Sequence, residues 1–133
     1  MQITQLRNAT VLLEFTSAEG RPVGLLVDPM LAPRGSLPAL RYLGAGRQRN
    51  PIVELPAGTD ALLQRVTHAL ITHCQRGHFD HLDRAGKRFL RERQIPVICM
   101  PRDADYLAQR GLLAVDHGDA GAGGRRRGRR ARR

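Results

Sequence analysis

Apolar and polar residues alternate most clearly near the start of the chain. In TVLLEFT (10–16) Val11, Leu13 and Phe15 fall on every second position, and Ile3 and Leu6 stand in the preceding QITQLR. A period of two marks a strand with one covered face. The pattern predicts strands over 2–7 and 10–16, joined at Asn8-Ala9. Glu19-Gly20-Arg21-Pro22 carries turn chemistry. VGLLVD (23–28) is a short continuous apolar run, as in a buried strand. Pro29 ends it, because proline has no N–H to give to a ladder.

The pattern then lapses. Residues 29–59 hold five of the eight prolines and read as a long excursion with little regular structure. Helical spacing returns at Leu62, Leu63 and Val66, with Thr59 or Asp60 as the cap. HALIT (68–72) reads as a short strand. Residues 82–94 read as a helix with Leu82, Ala85, Phe89 and Leu90 on one face and arginines opposite, a solvated polar face. PVICM (96–100) reads as a strand, and 103–110 as a last helix capped by Asp103 and stopped by Gly111. Strands come first, then strand–helix–strand–helix. That order predicts an α/β fold with a mixed sheet and flanking helices.

At 133 residues the chain suffices for one compact domain that folds without disulfides. Cys74 and Cys99 make no disulfide framework, and both read as small buried hydrophobes. No apolar run approaches the roughly 18 residues of a membrane span. MQITQLRNATVLLEF has neither the basic start nor the apolar stretch of a signal peptide, so a soluble, cytoplasmic protein with no membrane partner is expected.

The net charge of +10 suggests nucleic acid until it is divided along the chain. Seven of the 22 basic residues follow Asp119, in AGAGGRRRGRRARR; up to Asp119, fifteen basic residues face twelve acidic ones. The predicted folded part, 1–118, is thus close to neutral. Residues 119–133 contain almost only Ala, Gly and Arg and read as a disordered basic tail. Three readings of that tail stand. It is a nucleic-acid-binding arm through 125–133, a solvated terminus, or a GC-rich stretch read out of frame.

Candidate chemistry concentrates in Ile71-Thr72-His73-Cys74-Gln75-Arg76-Gly77-His78-Phe79-Asp80-His81. Three of the five histidines fall within nine residues, beside a carboxylate, after a strand and before a helix. A strand end presents ligands rigidly, and imidazole is the commonest transition-metal ligand near neutral pH.

This segment resembles the Thr-His-x-His-x-Asp-His motif of the metallo-β-lactamase superfamily, which also sits at a strand end. Val27-Asp28-Pro29 and the opening strands agree, and the resemblance covers roughly residues 2–112. It implies the N-terminal half of a metallo-β-lactamase-like αββα sandwich. It also implies one or two Zn²⁺ ions that activate water against a small-molecule substrate. Read without gaps from the strand end, Thr72, His73 and His78 match, with Gln75 and Gly77 at positions that normally carry a His and the Asp. A second register, Arg76-x-His78-x-Asp80-His81, keeps three ligand types but lies three residues past the strand end. Placement favours the first, so His73 and His78 are the primary metal candidates and Asp80, His81 and Asp28 secondary ones. The family's later donors, a His, a bridging Asp and a last His, find only His117 and Asp119. A metal-dependent hydrolase, truncated and with weak or no activity, is the reading that follows. The alternatives are a non-catalytic α/β domain with a nucleic-acid-binding tail, and a product without selected function. Half of a two-layer sandwich would also leave an apolar sheet face uncovered.

Overall fold

The computed structural model describes residues 1–37, 49–74 and 81–116. The elements in chain order are β1 (Gln2–Arg7), β2 (Thr10–Thr16), β3 (Pro22–Val27), α1 (Thr59–Leu63), β4 (His68–Leu70), α2 (Arg84–Glu92), β5 (Pro96–Cys99), α3 (Pro101–Ala108) and β6 (Leu113–Asp116). The strands form one six-stranded sheet whose spatial order is the chain order. β1, β2 and β3 pair antiparallel, and β3 to β6 pair parallel. The sheet is therefore mixed, as the sequence predicts.

The register explains where the core sits. Leu12 pairs with Leu26, Leu26 with Ala69, Ala69 with Val97 and Val97 with Ala114, a row that crosses five strands. Side chains paired in this way share a face. The first four of them are fully shielded from solvent. Leu63 of α1, Leu90 of α2 and Leu107 of α3 join the same cluster, so the helices cover that face. Each leucine buried in this way contributes about 1.5–3 kcal/mol. The neighbouring row, Val11–Val27–Leu70–Ile98–Val115, points to the other face and runs from half-buried to 45% exposed at Val115. This is the incompletely covered apolar face expected of half a sandwich.

Several boundaries differ from the sequence reading, each for a local reason. Neither Thr59 nor Asp60 caps α1: Gly58 does, at φ 82, and the Thr59 hydroxyl instead donates to the Pro56 carbonyl at 2.7 Å. Asp103 does not cap α3. That helix starts at Pro101, whose fixed φ suits a first helical position, and Asp103 lies buried within its first turn. α2 starts at Arg84 rather than Leu82, because Asp83 takes the cap and its carboxylate accepts from the Gly86 amide at 2.7 Å. The strand β6 is an addition: four residues directly after the Gly111 stop are too few for a periodic signal. In the 29–58 excursion, the described residues hold no helix or strand, only a bridge between Leu37 and Asn50. Cys74 and Cys99 are both buried, as expected. The tail lies outside the described residues.

Candidate metal centre

The parallel pairing of β3 and β4 sets the site. Val27 is level with Leu70, so the residues just beyond, Asp28 and Thr72, emerge at the same end of the sheet. Carboxyl ends of adjacent parallel strands are where α/β sheets place their ligands. Asp28 has φ 44, a left-handed conformation that Asp tolerates better than most residues. Its amide donates to the Leu70 carbonyl at 2.9 Å. The turn is then locked by Thr10, whose buried hydroxyl donates to the Asp28 carbonyl at 2.7 Å and accepts from the Met30 amide at 3.0 Å.

The turn delivers the Asp28 carboxylate to the end of β4. Oδ1 accepts from the Thr72 amide at 2.8 Å, and Oδ2 accepts from the Thr72 hydroxyl at 2.6 Å. Oδ2 also accepts from His81 Nδ1 at 2.8 Å. Asp28 is only 2% exposed, so these charge-assisted bonds work at low dielectric. A carboxylate only accepts, so His81 donates to it from Nδ1. His73 Nδ1 lies 3.3 Å from Thr72 Oγ1, whose own hydrogen goes to Asp28. The rings of His73 and His81 stand 3.8 Å apart, centroid to centroid, tilted by 48°.

A second set of contacts fixes the angle of approach. Asp83, two residues after His81, caps α2 through Oδ1, while its Oδ2 accepts from the Ala32 amide at 2.7 Å. Gly86, within α2, lies so close to the Pro29 carbonyl that a Cβ there would collide with backbone. Arg7, at the end of β1, is only 3% exposed and donates to the carbonyls of Met30 at 2.9 Å, Val53 at 3.1 Å and Ala32. Burial lowers the Arg7 pKa from its usual value, opposed by the nearby Asp83 and Glu54 carboxylates. Ala32 is thus held from both sides, its amide by Asp83 and its carbonyl by Arg7. Beyond the far side of the strand end, burial pushes the Cys74 thiol up to about 11, with Asp103 and Cys99 adding to it. That is the behaviour of a packed thiol.

Of the residues singled out from the sequence, the structure brings Asp28, His73 and His81 together, with Thr72 between them. Gln75, Gly77, His78 and Asp80 lie outside the described residues. Among the described residues no group of three or more His, Cys, Asp or Glu side chains is placed to hold a metal ion. The supporting roles of Arg7, Thr10 and Asp83 are not visible in the sequence, because no local pattern marks a buried arginine at a strand end.

Solved structures with this arrangement of strands and helices exist. An isothiocyanate hydrolase from Delia radicum gut bacteria superposes with a TM-score of 0.71 at 29% identity, over 87% of this chain and 41% of that one. The fold is that of the N-terminal half of a metallo-β-lactamase-like domain. A possible metal-dependent hydrolase from Veillonella parvula DSM 2008 matches this half-domain with a TM-score of 0.69 at 30% identity, over 86% of this chain and 41% of that one. In sequence, the half-domain is 34% identical over 90 residues to the UPF0173 protein YddR of Bacillus subtilis (strain 168), covering 68% of this chain and 32% of the relative. The chain therefore spans about a third of that curated relative and about two fifths of the solved structures. No protein-family profile matches it. No helix among the described residues is long and apolar enough to cross a membrane.

Proposed function

We propose that this chain carries the first part of the metal site of a metal-dependent hydrolase. His73, His78, Asp80 and His81 are its donors, and Asp28 is the carboxylate that orients His81. The observation that carries the reading is the Asp28–His81–His73 cluster. His73 and His81 are eight positions apart, whereas the first and last His of His-x-His-x-Asp-His are five apart. Passing over Cys74-Gln75-Arg76 gives His73-Gly77-His78-Phe79-Asp80-His81, the full motif in order. On this reading the segment contains a three-residue insertion immediately after the first ligand, and no ligand is lost.

The described donors fit a borderline metal such as zinc. Two imidazoles stand side by side, and one is backed by a carboxylate, the arrangement that fixes a ligating histidine. A bound divalent ion would supply Lewis acidity and lower the pKa of a coordinated water. The chain's own part is to hold the imidazoles by Asp28 and Thr72. The solved hydrolases support a small-molecule substrate.

The test is a Zn²⁺ competition titration of the full chain against a chromophoric chelator. His73→Ala, His78→Ala and His81→Ala should each weaken binding by at least about tenfold. His68→Ala, a half-buried histidine on β4, should not. If His81→Ala binds zinc as the parent does, the inserted reading is wrong and the ungapped register stands.

A further inference from the structure

A cleft of about 440 Å³ opens between the loop after β3 and the first two turns of α2. That volume suits a small organic molecule and is far too small for a macromolecule. One wall is Ala32, Pro33 and Leu37; the other is Arg84, Ala85 and Arg88. Arg84 and Arg88 are four residues apart on α2, so they share a face one turn apart and flank Ala85.

These two arginines differ from their neighbours on and beside the helix. Arg91 donates to the Arg110 carbonyl at 3.3 Å, and Arg93 to the Leu63 and Gln64 carbonyls at 3.1 and 3.4 Å. Those side chains hold the fold together. Arg84 and Arg88 are exposed, and among the described residues neither forms an ion pair. Asp83, next to Arg84, is buried and already accepts from two amides, and Glu92, one turn beyond Arg88, forms no ion pair with it among the described residues. The guanidinium pair therefore faces the cleft without a protein counter-charge among the described residues.

The opposite wall is held in place. Ala32 is fixed by Asp83 and Arg7, the Gly35 amide donates to the Pro51 carbonyl at 2.9 Å, and the Leu37 amide donates to the Asn50 carbonyl at 2.7 Å. A wall fixed before binding reduces the ordering cost of a ligand. We propose that this cleft binds a small organic anion. Its carboxylate or phosphate head pairs with Arg84 and Arg88, and its apolar body rests on Pro33, Leu37 and Ala85. Paired guanidinium groups recognise either head group through charge-assisted hydrogen bonds. The inference does not depend on the metal reading, because none of the described lining side chains is a metal donor.

The full chain, with a chelator present throughout, should be titrated with phenyl phosphate, benzoate and benzyl alcohol by ¹H–¹⁵N NMR. Phenyl phosphate or benzoate should saturate at millimolar concentration or below and shift the amides of Ala32, Ser36, Leu37 and Ala85. Benzyl alcohol should bind at least tenfold more weakly. The double variant R84Q/R88Q should lose at least tenfold in affinity for the anion, while R21Q/R102Q, two exposed arginines elsewhere, should not. Whichever anion binds more tightly identifies the head group. Three results would overturn the proposal: no saturation by either anion, unchanged affinity in R84Q/R88Q, or shifts confined to other arginines. The chelator keeps failure here separate from failure of the metal site.

Discussion

Asp28 and His81 are 53 positions apart in the chain, yet Asp28 Oδ2 accepts from His81 Nδ1 at 2.8 Å. The contact joins the end of β3 to the entry of α2. It forms because Asp28 turns left-handed after the strand and Asp83 draws α2 onto the following loop.

Asp28→Asn keeps the shape and removes the charge. Three donors, the Thr72 amide, the Thr72 hydroxyl and His81 Nδ1, then meet a group with an amide in place of one oxygen. Zinc affinity should fall about 10- to 100-fold, as for other partners of ligating histidines. Urea unfolding should show a loss of about 1.5–3 kcal/mol. Unchanged affinity would mean that the carboxylate only stabilises the turn.

Arg7→Met should destabilise the fold by about 3 kcal/mol or more, because the carbonyls of Met30, Ala32 and Val53 lose a shared charged donor at a buried site. Arg7→Lys should recover little, since an ammonium cannot span three carbonyls as a planar guanidinium does. Denaturant midpoints of the three proteins, compared at equal slope, test this.

Gly86→Ala should cost about 1–3 kcal/mol although alanine is the better helix former. The new Cβ meets the Pro29 carbonyl, which is backbone and cannot yield as a side-chain end would. The helix must back away, and His81 with it. Thermal unfolding should register the loss. A neutral or stabilising effect would show that α2 packs less closely on the Asp28 turn than described.

Deleting Cys74-Gln75-Arg76 should tighten zinc binding, because it restores the spacing His-x-His-x-Asp-His. Cys74 is 6% exposed, so the deletion also removes a packed side chain. Substituting only Gln75→Ala and Arg76→Ala separates the two effects: it leaves spacing and Cys74 intact and should leave affinity as it was.

Much of this architecture is legible in the sequence, for physical reasons. TVLLEFT and VGLLVD announce β2 and β3 as strands, but the alternating Val11, Leu13 and Phe15 lie on the less covered face of β2, whose buried side is Thr10 and Leu12. The strand end carrying Thr72 and His73, and the Asp28-Pro29 turn, are readable because their chemistry is local. The caps of α1 and α3 are misread because tertiary contacts, not the nearest polar side chain, decide them: Thr59 turns to Pro56 and Asp103 is buried. The meeting of His81 with His73 is not legible at all. It depends on how far α2 is drawn in by Asp83, Gly86 and Arg7, and none of these is near the motif's first residue.

The central claim is that His73 and His81 belong to one metal site, with their Nδ1 hydrogens held by Thr72 and Asp28. Side-chain ¹⁵N NMR of the histidines, before and after one equivalent of Zn²⁺, tests it most directly. Both rings should carry Nδ1–H in the metal-free protein, and the Nε2 signals of both should shift together on adding zinc while His68 stays unchanged. If His81 is unmoved by zinc, or carries its hydrogen on Nε2, the site described here is contradicted.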